Sequence, residues 1–347
     1  MRIFLTGSTG FIGQPLTREL LARGWEVTAL VRKPESAEAR ALTNMGAKLV
    51  RGDVTERESM RAGMQGADIV IHNAGYYELG INRAAQKHMQ AINVTGTENV
   101  LGLALELGIP HNVYVSTTQA YGDSGADLQD ESFVRKSPAQ TCYQRTKMEA
   151  HDIAVEYQQR GLPLVIASPN GVIGPNDHSI WGYYVRLYLN KMLPPMGPIG
   201  NCLYTLVELN DLARGLALAA EKGRPGEAYF LCGESKSTKE HIAYWYEYPG
   251  GNQIRVWLPK WLAEPMFWTL EPLQRAAGIS AFLSREMVDT AAINFNYSSA
   301  KAQRELGWSY CSAEEMWRLT FKGELELAKQ RRSRSIVARL KPLELEG

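Results

Sequence analysis

Tyr143 and Lys147 stand four residues apart in the stretch Tyr143-Gln144-Arg145-Thr146-Lys147, within a pattern that reads as a helix. Positions i and i+4 share a helix face, so the phenol and the ammonium point into one space. A nearby ammonium favours tyrosinate and lowers a tyrosine pKa. A tyrosine tuned in this way passes a proton to or from a carbonyl or hydroxyl oxygen. Upstream, "VYVSTTQAYG" reads as a strand ending in hydroxyls at Ser116, Thr117 and Thr118. In open parallel sheets the C-terminal strand ends face the ligand crevice, where a hydroxyl would hold a substrate oxygen against the tyrosine. The same spacing also occurs on solvated helix faces, and hydroxyl runs also cap strands, so each signal gains weight only from its company.

That company begins at the first residues, "MRIFLTGSTGFIG". The loop Thr6-Gly7-Ser8-Thr9-Gly10-Phe11-Ile12-Gly13 follows a strand-like run and precedes a helical pattern in which Leu16, Leu20 and Leu21 share a face. Glycines placed there permit a tight turn and a close approach of backbone to a pyrophosphate, with free N–H groups and the positive dipole end of the helix behind it.

The elements that must position these residues alternate regularly. Strand-like runs at residues 3–6, 25–31, 47–51, 69–72, 113–116 and 164–167 are separated by helical patterns. Strands alternating with helices predict right-handed crossovers and an α/β, doubly wound parallel sheet of Rossmann type. After about Pro169 the rhythm loosens, and Pro194-Pro195, Gly197-Pro198 and Pro249-Gly250-Gly251 mark loops and short helices. The expected organisation is a dinucleotide-binding core over residues 1–169, joined by later strands from about 204–233. Residues 170–203 and 234–330 make a smaller, mostly helical substrate lobe, and 331–347 a basic tail, read as solvated.

Composition narrows the class. The chain has 347 residues, 45% apolar and 22% charged, with a formal net charge of +1. That is an ordinary globular composition with no global field toward nucleic acid or an anionic surface. No run reaches the roughly 18 apolar residues of a membrane span, and the N-terminus lacks a secretory pattern. Cys142, Cys202, Cys232 and Cys311 lie far apart. No metal site and no disulfide framework is expected, and a reducing cytoplasm fits.

In sequence order, the glycine loop, "GDV" at Gly52-Asp53-Val54, "HNAG" at 72–75, the hydroxyl cluster and Y-x-x-x-K follow one another. "INVTGTENVL", "PNGVIGPND" and "YSSAKAQRELGW" come between and after them. This order resembles the extended branch of the short-chain dehydrogenase/reductase superfamily, over nearly the whole chain. That branch holds sugar-nucleotide epimerases and dehydratases, 3β-hydroxysteroid dehydrogenases and dihydroflavonol-reductase-like enzymes.

The resemblance implies roles. Tyr143 would be the catalytic acid/base, and Lys147 would bind the nicotinamide ribose and depress the tyrosine pKa. Thr117 falls where the family usually has serine, with Ser116 or Thr118 as alternatives. Gly7, Ser8, Thr9, Gly10, Phe11, Ile12 and Gly13 would cradle the cofactor. Asp53 and Val54 would meet the adenine, and Asn73, Ala74 and Gly75 the adenosine half. Asn93 and Ser116 are also expected against the cofactor, with Pro169, Asn170, Gly171 and Val172 beside the nicotinamide. On the substrate side stand Tyr76, Tyr77, Thr118, Trp181 and Tyr184, with Met266, Phe267 and Trp268 in the looser lobe. A homodimer through the fourth and fifth helices would follow the family pattern.

At the end of the second strand, Arg32 and Lys33 stand where NAD-preferring folds place an acid, which predicts NADP(H) over NAD(H). The leading expectation is an NADP(H)-dependent oxidoreductase acting on an apolar carbonyl or alcohol. The alternatives are an NAD-dependent sugar-nucleotide epimerase or dehydratase, and a non-catalytic dinucleotide sensor. Thr118-Gln119 stands where sugar-nucleotide dehydratases carry an Asp-Glu pair.

Overall fold

The computed structural model describes residues 1–276, 284–331 and 336–343. Six strands alternate with helices through the first half: β1 (Arg2–Thr6), β2 (Glu26–Val31), β3 (Lys48–Arg51), β4 (Ile69–His72), β5 (His111–Val115) and β6 (Leu164–Pro169). With the later strand Ala228–Leu231 they form one seven-stranded sheet in the order Ala228–Leu231, β6, β5, β4, β1, β2, β3. Every neighbouring pair is parallel. The order reverses between β1 and β4, which opens the crevice that a doubly wound sheet offers to ligands.

Every residue of β4 and β6 is buried, so these strands need cover on both faces. The connecting helices are α1 (Gly13–Ala22), α2 (Ala37–Met45), α3 (Arg57–Met64), α4 (Arg83–Gln90), α5 (Gly96–Glu106) and α6 (Cys142–Gln159). The later ones are α7 (Ile180–Leu189), α8 (Leu209–Lys222), α9 (Thr238–Ala243), α10 (Lys260–Ala276), α11 (Arg285–Ala291), α12 (Ala300–Leu306) and α13 (Ala313–Arg331). On one face Leu16 and Leu20 of α1 and Leu212 and Leu216 of α8 pack on Ile3, Leu5 and Val113. On the other, Met60 of α3, Leu101 of α5 and Ala150 of α6 pack on Phe4, Val70 and Ile166. Burying each large apolar side chain contributes about 1.5–3 kcal/mol, so the two slabs hold the strand ends in fixed register.

Two expectations change. Of the strands expected over 204–233, only Ala228–Leu231 joins the main sheet. Val207–Glu208 pairs with Val172–Ile173, and Leu203–Tyr204 with Lys236–Ser237. These short ladders, and a third between Met196–Pro198 and Val256–Leu258, brace the substrate lobe with strand pairs as well as helices. The end of the chain is also not simply solvated. Arg331 is buried and pairs with Glu324 at 2.6 Å, while the Leu340 carbonyl accepts from Arg186 Nε at 2.7 Å. Residues 332–335 and 344–347 of the basic tail lie outside the described residues. Among the described residues no helix is long and apolar enough to cross a membrane.

Candidate active site

Gly7 leaves β1 at φ +71°, and a Cβ there would stand 2.7 Å from the Ala74 backbone. A Cβ on Gly13 would stand 2.0 Å from the Gly7 carbonyl. The chain's own packing therefore demands both residues. Gly10 differs: its nearest neighbour would be the Gly7 oxygen at 3.4 Å, and it lines a cavity of about 970 Å³. Helix α1 behind it has no capping side chain and no acid in its first turn. Its leading N–H groups and positive end are suited to an anion.

The same cavity receives Thr9, Phe11, Ile12, Asp53, Asn73 and Ala74. Asn73 donates to the Gly7 carbonyl at 3.3 Å, while its buried Oδ1 has no partner among the described residues. An orphaned buried acceptor beside a glycine cradle fits a ligand with donors, as a dinucleotide has. Asp53 Oδ1 accepts from the Thr55 amide at 2.9 Å and its hydroxyl at 2.8 Å. This folds the turn after β3 at the edge of the cavity. Arg32 is exposed, lines the cavity and makes no ion pair among the described residues.

Six residues expected in the site do not line the cavity: Ser8, Gly13, Lys33, Asn93, Thr118 and Trp268. Ser8 and Thr118 are buried with unpartnered hydroxyls, Gly13 packs on Gly7, and Lys33 points to solvent. Asn93 braces the site from behind, on a π-helical turn at Ala91–Thr95 between α4 and α5. Its carboxamide accepts from the Tyr76 amide at 2.7 Å and donates to the Tyr76 carbonyl and the Thr146 hydroxyl, both at 3.0 Å. The extra residue of such a turn re-aims a side chain.

Thr141 caps α6 by accepting from the Gln144 amide at 3.0 Å, which fixes the turn that carries Tyr143. Lys147 lies one turn deeper, buried, and donates to the Val115 carbonyl and the Tyr114 hydroxyl, both at 3.1 Å. Its ammonium draws the Tyr143 pKa down, as expected, but burial acts more strongly and leaves the phenol above its ordinary value. Burial likewise pulls Lys147 down, against the pull of Tyr143.

The three hydroxyls separate cleanly. The Thr117 hydroxyl lines the cavity beside Tyr143, whose ionised form it favours, and accepts from the Gln119 amide at 3.3 Å. The Ser116 hydroxyl is held by His151 Nδ1 at 3.0 Å. Thr118 faces the interior.

Beyond Tyr143 the cavity continues between aromatic walls. Tyr77 packs edge-on against Tyr143, with centroids 4.7 Å apart and planes at 87°. Burial pushes the Tyr77 phenol up, and so does the neighbouring Tyr143. Tyr184 donates to Met287 Sδ at 3.4 Å, and Trp181 stacks edge-on with Tyr204 and Trp245. The backbone around Pro169 to Val172 forms the floor, held by Asn170, which donates to the Phe295 carbonyl at 2.7 Å. Met266 and Phe267 line the cavity, whereas Trp268 is 58% exposed and does not.

Sequence reasoning missed Asp177, His178 and Met287, which also line the cavity. Burial pushes Asp177 up to about 6, although it accepts from the Ser179 and Gly182 amides at 2.6 and 2.9 Å at the start of α7. The "GPND" run marked this place without a role. Met287 carried no local signal, because only tertiary folding brings α11 over the cavity.

Residues 3–232 match the model of the "NAD dependent epimerase/dehydratase family". The chain is 31% identical over 325 residues to a putative dihydroflavonol 4-reductase of Synechocystis sp., covering 90% of this chain and 91% of that one. It is 32% identical over 232 residues to a 4-hydroxy-2-methyl-3-oxo-4-farnesyl-3,4-dihydroquinoline-1-oxide ketoreductase of Stigmatella aurantiaca, covering 67% and 68%. The fold resembles the dTDP-glucose 4,6-dehydratase DesIV of Streptomyces venezuelae, with a TM-score of 0.75 and 22% identity over 95% of this chain and 98% of that one. The chain thus belongs to the NAD dependent epimerase/dehydratase family, in the extended branch of the short-chain dehydrogenase/reductases, and is an NAD(P)-dependent enzyme.

Proposed function

We propose that the enzyme is an NADP(H)-dependent oxidoreductase interconverting an apolar ketone or aldehyde and its alcohol. The observation that carries this reading is the charge pattern of the cavity. Among the described residues its lining holds two Lys or Arg residues, Arg32 at the cofactor's ribose end and Lys147 under Tyr143. A nucleotide sugar brings a diphosphate, which calls for converging guanidinium or ammonium groups. Arg186, in the segment where such a group would stand, is 1% exposed and committed to the Asp177 and Leu340 carbonyls. The names of the two relatives, a reductase and a ketoreductase, agree with this reading.

The glycine loop and α1 would hold the cofactor's pyrophosphate, Arg32 its ribose end, and Lys147 the nicotinamide ribose. A bound nicotinamide supplies or accepts the hydride. Tyr143 donates its phenolic proton to the oxygen that forms when the carbonyl is reduced, and takes it back in oxidation. Thr117 donates to the same oxygen and fixes its direction, and Lys147 keeps the phenol within reach of ionisation. Tyr77, Trp181 and Tyr184 orient the apolar body and exclude water.

A dTDP-glucose 4,6-dehydratase of Actinoplanes sp., 27% identical over 254 residues and covering 69% of this chain and 78% of that one, favours a second reading as a sugar-nucleotide enzyme. One experiment separates the two: hydrophobic ketones and aldehydes against UDP- and dTDP-sugars, with NADPH, with NADH and without added cofactor. Carbonyl reduction with added NADPH is expected. Turnover of the sugars alone, without added cofactor, would replace this reading with the second. Tyr143→Phe should lower turnover at least about 10²-fold with cofactor affinity kept.

A further inference from the structure

α10 separates the substrate cavity from the outside by the thickness of one helix, about 10 Å. Its inner face supplies Met266, Phe267 and Leu270 to the cavity lining. Its outer face is also apolar. Trp261, Leu262, Trp268 and Leu273 are 74%, 43%, 58% and 64% exposed. Pro265 and Pro272 are exposed beside them, and beyond Lys260 at the helix start, whose side chain is 42% exposed, none of the described exposed residues of the helix is charged. A solvated helix normally carries charge on its outer face. The preceding strand pair continues the pattern, with Val256 52% and Met196 40% exposed and in register. Met192 and Met196 are both exposed and part of the cavity lining, so the cavity's rim belongs to this apolar surface.

Charge is arranged around it with a definite sense. Lys260 pairs with Asp289 at 2.8 Å, and the lysine is the more exposed member, 42% against 12%. Arg285 pairs with Glu264 at 3.3 Å, again with the base outward, and lies 5.5 Å from the Trp268 ring centre. Arg255 is exposed with no ion-pair partner among the described residues. The acids turn inward and the bases outward. The two prolines have no N–H to give to the carbonyls of Trp261 and Trp268. Those carbonyls need water or polar headgroups close to the tryptophan rings, and the boundary of a bilayer provides both. Tryptophan collects at that depth, with its ring in the apolar layer and its N–H in the headgroups.

We infer that α10 is a docking helix for an anionic lipid surface, lying in the plane of the headgroups. Resting on the reading of an apolar substrate, this places the cavity rim against the bilayer, so that a lipid-soluble carbonyl enters from the membrane.

The test uses the full chain and vesicles of phosphatidylcholine, with and without phosphatidylglycerol, read by co-sedimentation. The wild type should bind, more tightly to anionic vesicles, and salt should weaken that preference. The triple variant Trp261→Ser, Trp268→Ser, Leu273→Ser should lose roughly 10- to 10³-fold in partitioning, from three partly inserted side chains. None of the three lines the cavity, so the variant should keep its melting temperature and its rate on a small water-soluble carbonyl. A wild type that binds neither vesicle overturns the inference, as does a triple variant that binds equally well. A wild-type dimer that the substitutions split, without vesicle binding, assigns the face to a second copy instead. Vesicle binding with no activity on any apolar carbonyl leaves the lipid surface standing and removes only the substrate reading.

Discussion

Glu286 of α11 accepts from the Cys142 amide at 3.0 Å and the Gly80 amide at 2.8 Å, one carboxylate oxygen for each. Cys142 is the first residue of α6 and Tyr143 the second, so a side chain from the substrate lobe holds the turn that carries the proton donor. The negative charge also sits at a helix N-terminus, where it is favoured. Charge-assisted bonds contribute roughly 1.5–3 kcal/mol each. Glu286→Ala is expected to lower kcat/KM at least about tenfold, with Glu286→Gln intermediate. Unchanged kinetics in the alanine variant would mean that the two bonds do not position Tyr143.

Thr117 and Ser116 are adjacent but face different partners, and kinetics should tell them apart. Thr117→Val removes the hydroxyl beside Tyr143 and should cost roughly 10²-fold in kcat, comparable to a lost transition-state donor. Ser116→Ala, which removes only the His151 bond, should cost less than about tenfold. The reverse ranking would move the role to Ser116.

The pH profile has a definite sign. Reduction requires the protonated phenol, and burial holds the Tyr143 pKa above its ordinary value. The rate of reduction should therefore stay level from neutral pH to about pH 9 and fall only beyond it. In Thr117→Val the phenol loses a neighbouring hydroxyl that favours its ionised form, so the fall should move to still higher pH. A fall centred near neutrality would contradict the burial of Tyr143.

Cofactor choice should depend on Arg32. One charge-assisted bond to a 2′-phosphate gives roughly a 10- to 100-fold preference for NADPH over NADH. Arg32→Ala should erase most of it by weakening NADPH while leaving NADH nearly unchanged. Equal affinities in the wild type would show that Arg32 is only a surface charge.

Acid should destabilise the fold through its buried histidines. Burial lowers His72 to about 3, and His151 and His241 to about 4. Below about pH 6.5 the unfolded chain binds protons that the native one refuses, so stability falls as pH drops from there toward 4. At pH 5 each histidine costs about 2 kcal/mol. Thermal unfolding at pH 7 and pH 5 checks this, and a constant melting temperature would rule it out.

The strands of the main sheet were legible because most are short apolar runs bounded by turn residues. The glycine loop and the Tyr143–Lys147 pair were legible because their chemistry depends on local spacing. Glu286, Met287 and Asp177 were not, since their roles arise from contacts that only folding creates. The hydroxyl next to Tyr143 could not be chosen among three adjacent candidates, because the direction of each depends on the twist at the end of β5. Lys33 and Trp268 had suitable residue types but the wrong orientation, which composition cannot report.

The buried guanidinium of Arg186 waits for the Leu340 carbonyl, 154 residues further along the chain. At roughly 5–20 residues per second a ribosome needs about 10–30 s to make that span. During that interval the Arg186 Nε of α7, the helix that carries Trp181 and Tyr184 on the cavity wall, lacks its acceptor. The sheet and the glycine loop can assemble while synthesis continues, but the substrate wall cannot be sealed until the chain has passed Leu340. Order of synthesis thus becomes order of assembly: the nucleotide half is ready first, and a polypeptide cut short before Leu340 would have a cofactor cleft beside an unfinished pocket.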